Sequence, residues 1–146
     1  MSDTIKLRAT DAEDLAVFAA VLQDAVVPIE EMAYLPDERR FVMVANRFRW
    51  ESANGPHVKG RIYERVHAGL CIDDVRAVKL RNIDRSRKDA ILSLLTIEPS
   101  DGAIEILFSG NAAIRVEVDR ILCHLEDMAE PYPTRWRPSH PVEGAG

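Results

Sequence analysis

Apolar positions along this 146-residue chain change their spacing twice, and those two changes delimit its elements. Ile5-Lys6-Leu7-Arg8 alternates apolar and charged side chains, which predicts a short strand. Leu15, Phe18, Leu22 and Ala25 then recur on one face of a helix. Thr10 and Glu13 have the spacing of a capping box. Asp11, Glu13 and Asp14 suit the positive end of the helix dipole, and Pro28 predicts a stop near Val27.

From Met32 to Val118 the period becomes two. Met32–Leu35 reads as a short strand ended by Pro36-Asp37-Glu38. Phe41–Trp50 alternates with Val42, Val44, Phe48 and Trp50 on one side and Arg47 and Arg49 on the other. Val58–Ile72 sets Ile62, Val66, Leu70 and Ile72 against Arg61, Arg65 and Cys71. Val75–Ile83 and Ala90–Glu98 continue the pattern around a charged loop at Asp84–Asp89. Ile104, Ile106 and Phe108 face Ile114, Val116 and Val118 across Ser109-Gly110-Asn111, the signature of a hairpin. At Asp119 the spacing is taken to return to helical, with Leu122, Leu125 and Met128 as the buried stripe and Pro131 and Pro133 as the stop.

This order predicts an α+β fold: a pleckstrin-homology-like bent antiparallel sheet of about seven strands, with an N-terminal helix and a C-terminal covering helix. The interior glycines Gly60 and Gly69 suit sheet bending. Residues 1–131 are expected to form one domain and residues 132–146 a proline-rich tail carrying Trp136.

Several of these segments look familiar together. DAEDLAV, LQDAV, MAYLP, RFVMVANRFRWE, the IDRS of Ile83–Ser86 and LSLL resemble a family of small bacterial proteins catalogued as domain of unknown function 2948. The resemblance runs from about Lys6 to Pro138. It implies a one-domain cytoplasmic bacterial protein, and no established activity, ligand or active site comes with it.

Composition narrows the classes further. No apolar run approaches the ~20 residues of a membrane span, and the N-terminus lacks the basic and apolar regions of a secretory signal. A cytoplasmic location is expected, with Cys71 and Cys123 as reduced, buried thiols. The net charge of −5 hides an asymmetry: residues 39–88 hold 13 Lys/Arg against 5 Asp/Glu, while both flanks are acidic. A basic centre in an acidic chain points either to an anionic partner or to internal neutralisation by acidic helices at 11–27 and 119–130.

No sequence motif specifies a reaction. The chain has no G-x-S-x-G elbow and no nucleotide-binding glycine fingerprint. His67 and Cys71 lie four residues apart on one strand, ~13 Å at ~3.3 Å per residue, too far to share a metal ion. On a helix, Cys123 and His124 diverge by about 100°. The adjacent carboxylates Asp73-Asp74, Glu30-Glu31 and Glu126-Asp127 read as solvated charge. No catalytic residue, cofactor or metal is therefore expected.

The remaining candidates are cations. Arg47, Arg49, Arg61 and Arg65 are expected to crowd one sheet face, and Arg81, Arg85, Arg87 and Lys88 to cluster at a strand end and loop. Guanidinium suits bidentate grip on carboxylate or phosphate. The sequence thus favours a non-enzymatic binding or adaptor module for a protein partner or an anionic small ligand, with self-association through edge strands as a further expectation. A nucleic-acid-associated protein and a small enzyme without a visible motif rank below it. Nucleic acid ranks low because the chain is acidic and no stacking set of aromatics is evident.

Overall fold

A computed structural model describes residues 4–52, 62–128 and 132–134. The described residues fold as one eleven-stranded antiparallel sheet bearing a single α-helix. Strands β1 (Lys6–Ala9), β2 (Val26–Pro28), β3 (Met32–Leu35), β4 (Arg40–Phe48) and β5 (Tyr63–Ile72) lie on one half of the sheet. They are joined there by β10 (Cys123–Asp127) and β11 (Tyr132–Thr134). The other half holds β7 (Ile91–Ser100), β8 (Ala103–Phe108), β9 (Ala112–Val118) and β6 (Val75–Arg81), hydrogen-bonded in that order. β2 links the halves, pairing with β4 at Val26–Asn46 and with β7 over three residues. The Phe41–Trp50 segment makes β4 as far as Phe48, and the β8–β9 hairpin forms as its alternation predicts. Gly110 and Asn111 take the left-handed backbone needed at that tip.

The two halves bury one core between them. Phe41, Met43, Leu70 and Ile72 from one half meet Leu94, Ile104, Ile106, Ile114 and Val116 from the other. Helix α1 (Ala12–Leu22) closes that core, burying Leu15, Phe18 and Leu22. Its cap lies one residue later than the sequence pattern suggested. The Asp11 side chain accepts from the Asp14 N–H, while the Asp14 carboxylate accepts from the Thr10 N–H. The helix ends at Leu22, well before Pro28, because Asp24 adopts a left-handed conformation and donates its N–H to the Leu94 carbonyl of β7, whose own N–H donates to the Ala25 carbonyl.

The expected pleckstrin-homology-like arrangement is overturned at the C-terminal end, where no covering helix forms among the described residues. Residues 123–127 instead make β10, hydrogen-bonded between β1 and β5. Their side chains alternate strictly: Cys123, Leu125 and Asp127 are buried, and His124 and Glu126 point outward. Leu122, Leu125 and Met128 fit a helical stripe equally well, so local pattern could not decide. Two neighbouring strands with unpaired backbone groups decided it, since those groups are costly to leave unsatisfied. The covering role falls to α1. Tyr132–Thr134 then adds a short strand beside Tyr63–Arg65, while Gly60, Arg61 and Trp136 lie outside the described residues. Among the described residues no helix is long and apolar enough to cross a membrane.

A second difference is the orientation of β4. Phe41, Met43 and Ala45 face the core, so Val42 and Val44 lie on the outer face of the sheet. That inversion places Arg47 in line with the core residues.

Candidate functional site

The strand arginines are occupied internally. Arg47 is fully buried, and its Nε and Nη2 donate to the two carboxylate oxygens of Asp127 at 2.9 and 2.8 Å. Nη1 and Nη2 also donate to Glu51, at 3.0 and 2.8 Å. Burial opposes the charge on Arg47, but these hydrogen bonds outweigh it and hold the guanidinium above its ordinary range. Asp127, which the sequence pattern placed in solvent, has a fully buried side chain, and it also accepts the Ile5 N–H at 2.9 Å. It therefore ties β1, β4 and β10 together. Arg49 pairs with Glu64 and with Glu51, and Arg65 donates to the Asn46 side chain and carbonyl at 2.7 and 2.9 Å. The neutralising carboxylates come from strands and a short turn, not from acidic helices.

Glu51 carries a pH signature of this network. Burial works against its charge, but the Arg47 hydrogen bond wins and holds its carboxyl below the ordinary carboxylate range. A depressed native value means that Glu51 contributes stability above the unfolded value of ~4.3. That contribution is lost as pH falls through the lower native value. Glu51→Gln is expected to flatten the acid limb of a stability–pH profile measured by urea denaturation. An unchanged acid limb would show that the pair contributes nothing.

The loop cations are placed differently. Arg81, Arg85, Arg87 and Lys88 are all exposed at the end of β6 and in the loop that follows. Among the described residues, none of the four makes a side-chain ion pair within 4 Å; the Asp84 carboxyl between them is held down by its hydrogen bonds from Ser86, with a smaller contribution from Arg87. Asp84 turns back on its own loop, accepting from the Ser86 hydroxyl at 2.6 Å and the Ser86 N–H at 3.0 Å. Arg81 and Asn82 both donate to the Asn111 carbonyl at 3.1 Å, which fastens the loop to the β8–β9 tip. Beside it, Arg85 overhangs a hollow of about 120 Å³ lined by Tyr34, Phe41, Val78 and Leu80. The structure thus separates Arg47, Arg49 and Arg65, inside the sheet, from Arg81, Arg85, Arg87 and Lys88 on the surface.

The outer face of β5 carries a further constellation that sequence reasoning missed. In register, His124 of β10 lies directly beside Cys71 of β5, and Val42 of β4 flanks the thiol on its other side. The Cys71 thiol is 3.9 Å from Asp73 Oδ1, and His124 Nδ1 is 3.6 Å from Asp73 Oδ2. Arg40 Nε donates to Asp73 Oδ1 at 2.9 Å. Burial and the Asp73 carboxylate push the Cys71 thiol up, and burial pushes Cys123 up to about 12. Cys123 faces the core on the opposite side of the sheet, so the two thiols are not poised to bridge. The signal that could have found this cluster is the alternation through Cys123-His124-Leu125-Glu126-Asp127, once read as a strand. The cluster borders an apolar trough of about 490 Å³ that includes Val42, Val44, Gly69 and Met128. Val44, Glu31 and Met128 also line an adjoining trough of about 330 Å³, which reaches Val26, Pro28 and His67.

One family model, described as a protein of unknown function (DUF2948), matches residues 5–140 of the chain. No curated protein and no solved structure matches it.

Proposed function

We propose, for a chain that belongs to the DUF2948 family, a non-enzymatic binding module that holds an acidic protein segment on the loop between β6 and β7. The observation that carries this reading is the contrast among its cations. Arg47 and Arg49 have carboxylate partners, whereas Arg81, Arg85, Arg87 and Lys88 are exposed without a close one among the described residues. The Asp84–Ser86 turn and the Asn111 carbonyl restrain this loop, which lowers the ordering cost of binding. The hollow under Arg85 offers a place for one apolar side chain of the partner beside its carboxylates.

Replacing Arg85 and Arg87 together with Glu tests the proposal. A fluorescent acidic peptide with a single aromatic residue is expected to bind the unaltered chain and to lose binding to the double variant. Circular dichroism should stay unchanged, because both side chains are exposed. The same anisotropy titration with random duplex and single-stranded oligonucleotides, at ~150 mM salt, separates the nucleic-acid reading. Binding through four phosphates would show a salt slope of roughly −3.6, at ~0.9 per contact. Micromolar or tighter oligonucleotide binding that the double variant abolishes would replace the acidic segment with nucleic acid as the partner. Capture of partners from the native cell with both baits would then identify the protein concerned.

A further inference from the structure

We propose that Cys71 is an attachment site for a long-chain acyl group, delivered as the thioester of a phosphorylated thiol carrier. The trough on the outer face of the sheet receives the chain. This site is separate from the β6–β7 loop, and either proposal can fail without the other.

The shape of the outer face supports the chain. Cys71, Gly69 and His67 follow one another along the exposed side of β5, a run of about 13 Å at ~3.3 Å per residue. Val42 and Val44 from β4 and Met128 beyond β10 wall this run, and Val26 and Pro28 extend it. Gly69 contributes no side chain to its floor, and Met128 lies across it: a Cβ at Gly69 would meet Met128 Sδ at 3.4 Å, so a longer side chain there would compete with Met128 for the trough. Met128 is 61% exposed, a large thioether with an adaptable shape and no covering neighbour among the described residues. A linear apolar chain matches this form better than a compact ligand would.

Charge orients the donor. At the thiol end, Arg8 of β1 stands next to His124 in register, and no ion pair involving Arg8 occurs among the described residues. One row further on, Lys6 already faces Glu126 at 3.8 Å, and Glu31 adds negative charge along the trough. Asp73, 3.9 Å from the thiol, is itself paired with Arg40, which leaves Arg8 as the cation without an ion pair at the thiol end, while Glu31 and the Lys6-paired Glu126 lie by the apolar run. A phosphorylated carrier is drawn to the thiol end and its acyl chain to the apolar run.

The exchange is balanced without another reactant. Cys71 Sγ attacks the thioester carbonyl, the thiol proton passes to His124, and a new carbon–sulfur bond forms. The donor's carbon–sulfur bond breaks, and His124 returns the proton to the departing thiol. No group is oxidised or reduced. A base beside the thiol is required because burial and Asp73 keep Cys71 protonated.

Incubating the full chain with palmitoyl-coenzyme A and, separately, acetyl-coenzyme A, with intact-mass and peptide mapping, tests the site. One hydroxylamine-sensitive palmitoyl group is expected on Cys71, absent from Cys71→Ser and retained in Cys123→Ser. The palmitoyl rate should exceed the acetyl rate at least roughly tenfold. Gly69→Leu should erase that preference by slowing the palmitoyl reaction. Should Gly69→Leu fail to fold, Val44→Asp obstructs the same trough from a partly exposed position and should erase it equally. His124→Gln should slow both donors. The proposal is overturned if Cys71 labels no faster than in the urea-unfolded chain, or if both acyl lengths react equally. Palmitoyl-coenzyme A retained equally by Cys71→Ser would also overturn it, since the trough would then be a non-covalent site.

Discussion

Arg47→Met is expected to cost about 3–5 kcal/mol of folding stability, because it leaves Asp127 charged, buried and without its main partner. Asp127 has a fully buried side chain and, among the described residues, accepts three hydrogen bonds, two from Arg47 and one from the Ile5 N–H. Removing the guanidinium leaves the backbone bond to satisfy a full negative charge, a task one amide cannot perform. Glu51 would turn to solvent, since it is already partly exposed. Chemical denaturation followed by tryptophan fluorescence measures the loss. Removing both charges in Arg47→Met with Asp127→Leu should recover much of it, because the penalty belongs to the orphaned ion and not to the absent pair. Arg47→Lys should rescue poorly, since one ammonium cannot reproduce the fork that grips Asp127 and Glu51 together. A loss below about 1 kcal/mol for Arg47→Met, the range of an exposed pair, would refute the account. The native pair would then be as hydrated as a surface one.

Phe18→Ala should cost a similar amount, about 3–5 kcal/mol. Phe18 is 1% exposed on the inner face of α1, between Leu15 and Leu22, and the helix lies chiefly against β7. Neighbouring core residues from both halves of the sheet cannot close the space without moving strands that are hydrogen-bonded on either side. Leu122→Ala provides the contrast. The sequence pattern put Leu122 on a covering helix, but it occupies a half-buried turn before β10, where its carbonyl accepts the Asp73 N–H. Its truncation is expected to fall well below the ~2–5 kcal/mol of a fully buried leucine. Equal denaturation midpoints for Phe18→Ala and the unaltered chain would sink the assignment of α1 as the core's cover.

Where a pattern had one physical solution, the sequence was enough. Leu15, Phe18 and Leu22 can share a face only on a helix, and Ile104–Phe108 with Ile114–Val118 can bury one face only as a hairpin. Both appear in the structure. The family and the basic centre were equally legible, because each depends on which residues are present and not on what they touch. The fate of that charge was not. Whether Arg47 meets solvent or Asp127 depends on which face of β4 is inward and on a carboxylate 80 residues away, and neither is encoded locally. The same holds for residues 123–127, whose apolar spacing suits a helix or a strand. Open hydrogen-bonding edges on β1 and β5 settled the choice. By making a strand, they brought His124 beside Cys71 and put Asp127 inside. Local spacing determined the elements that satisfy themselves; tertiary structure decided those whose backbone or charge is satisfied only by a distant segment.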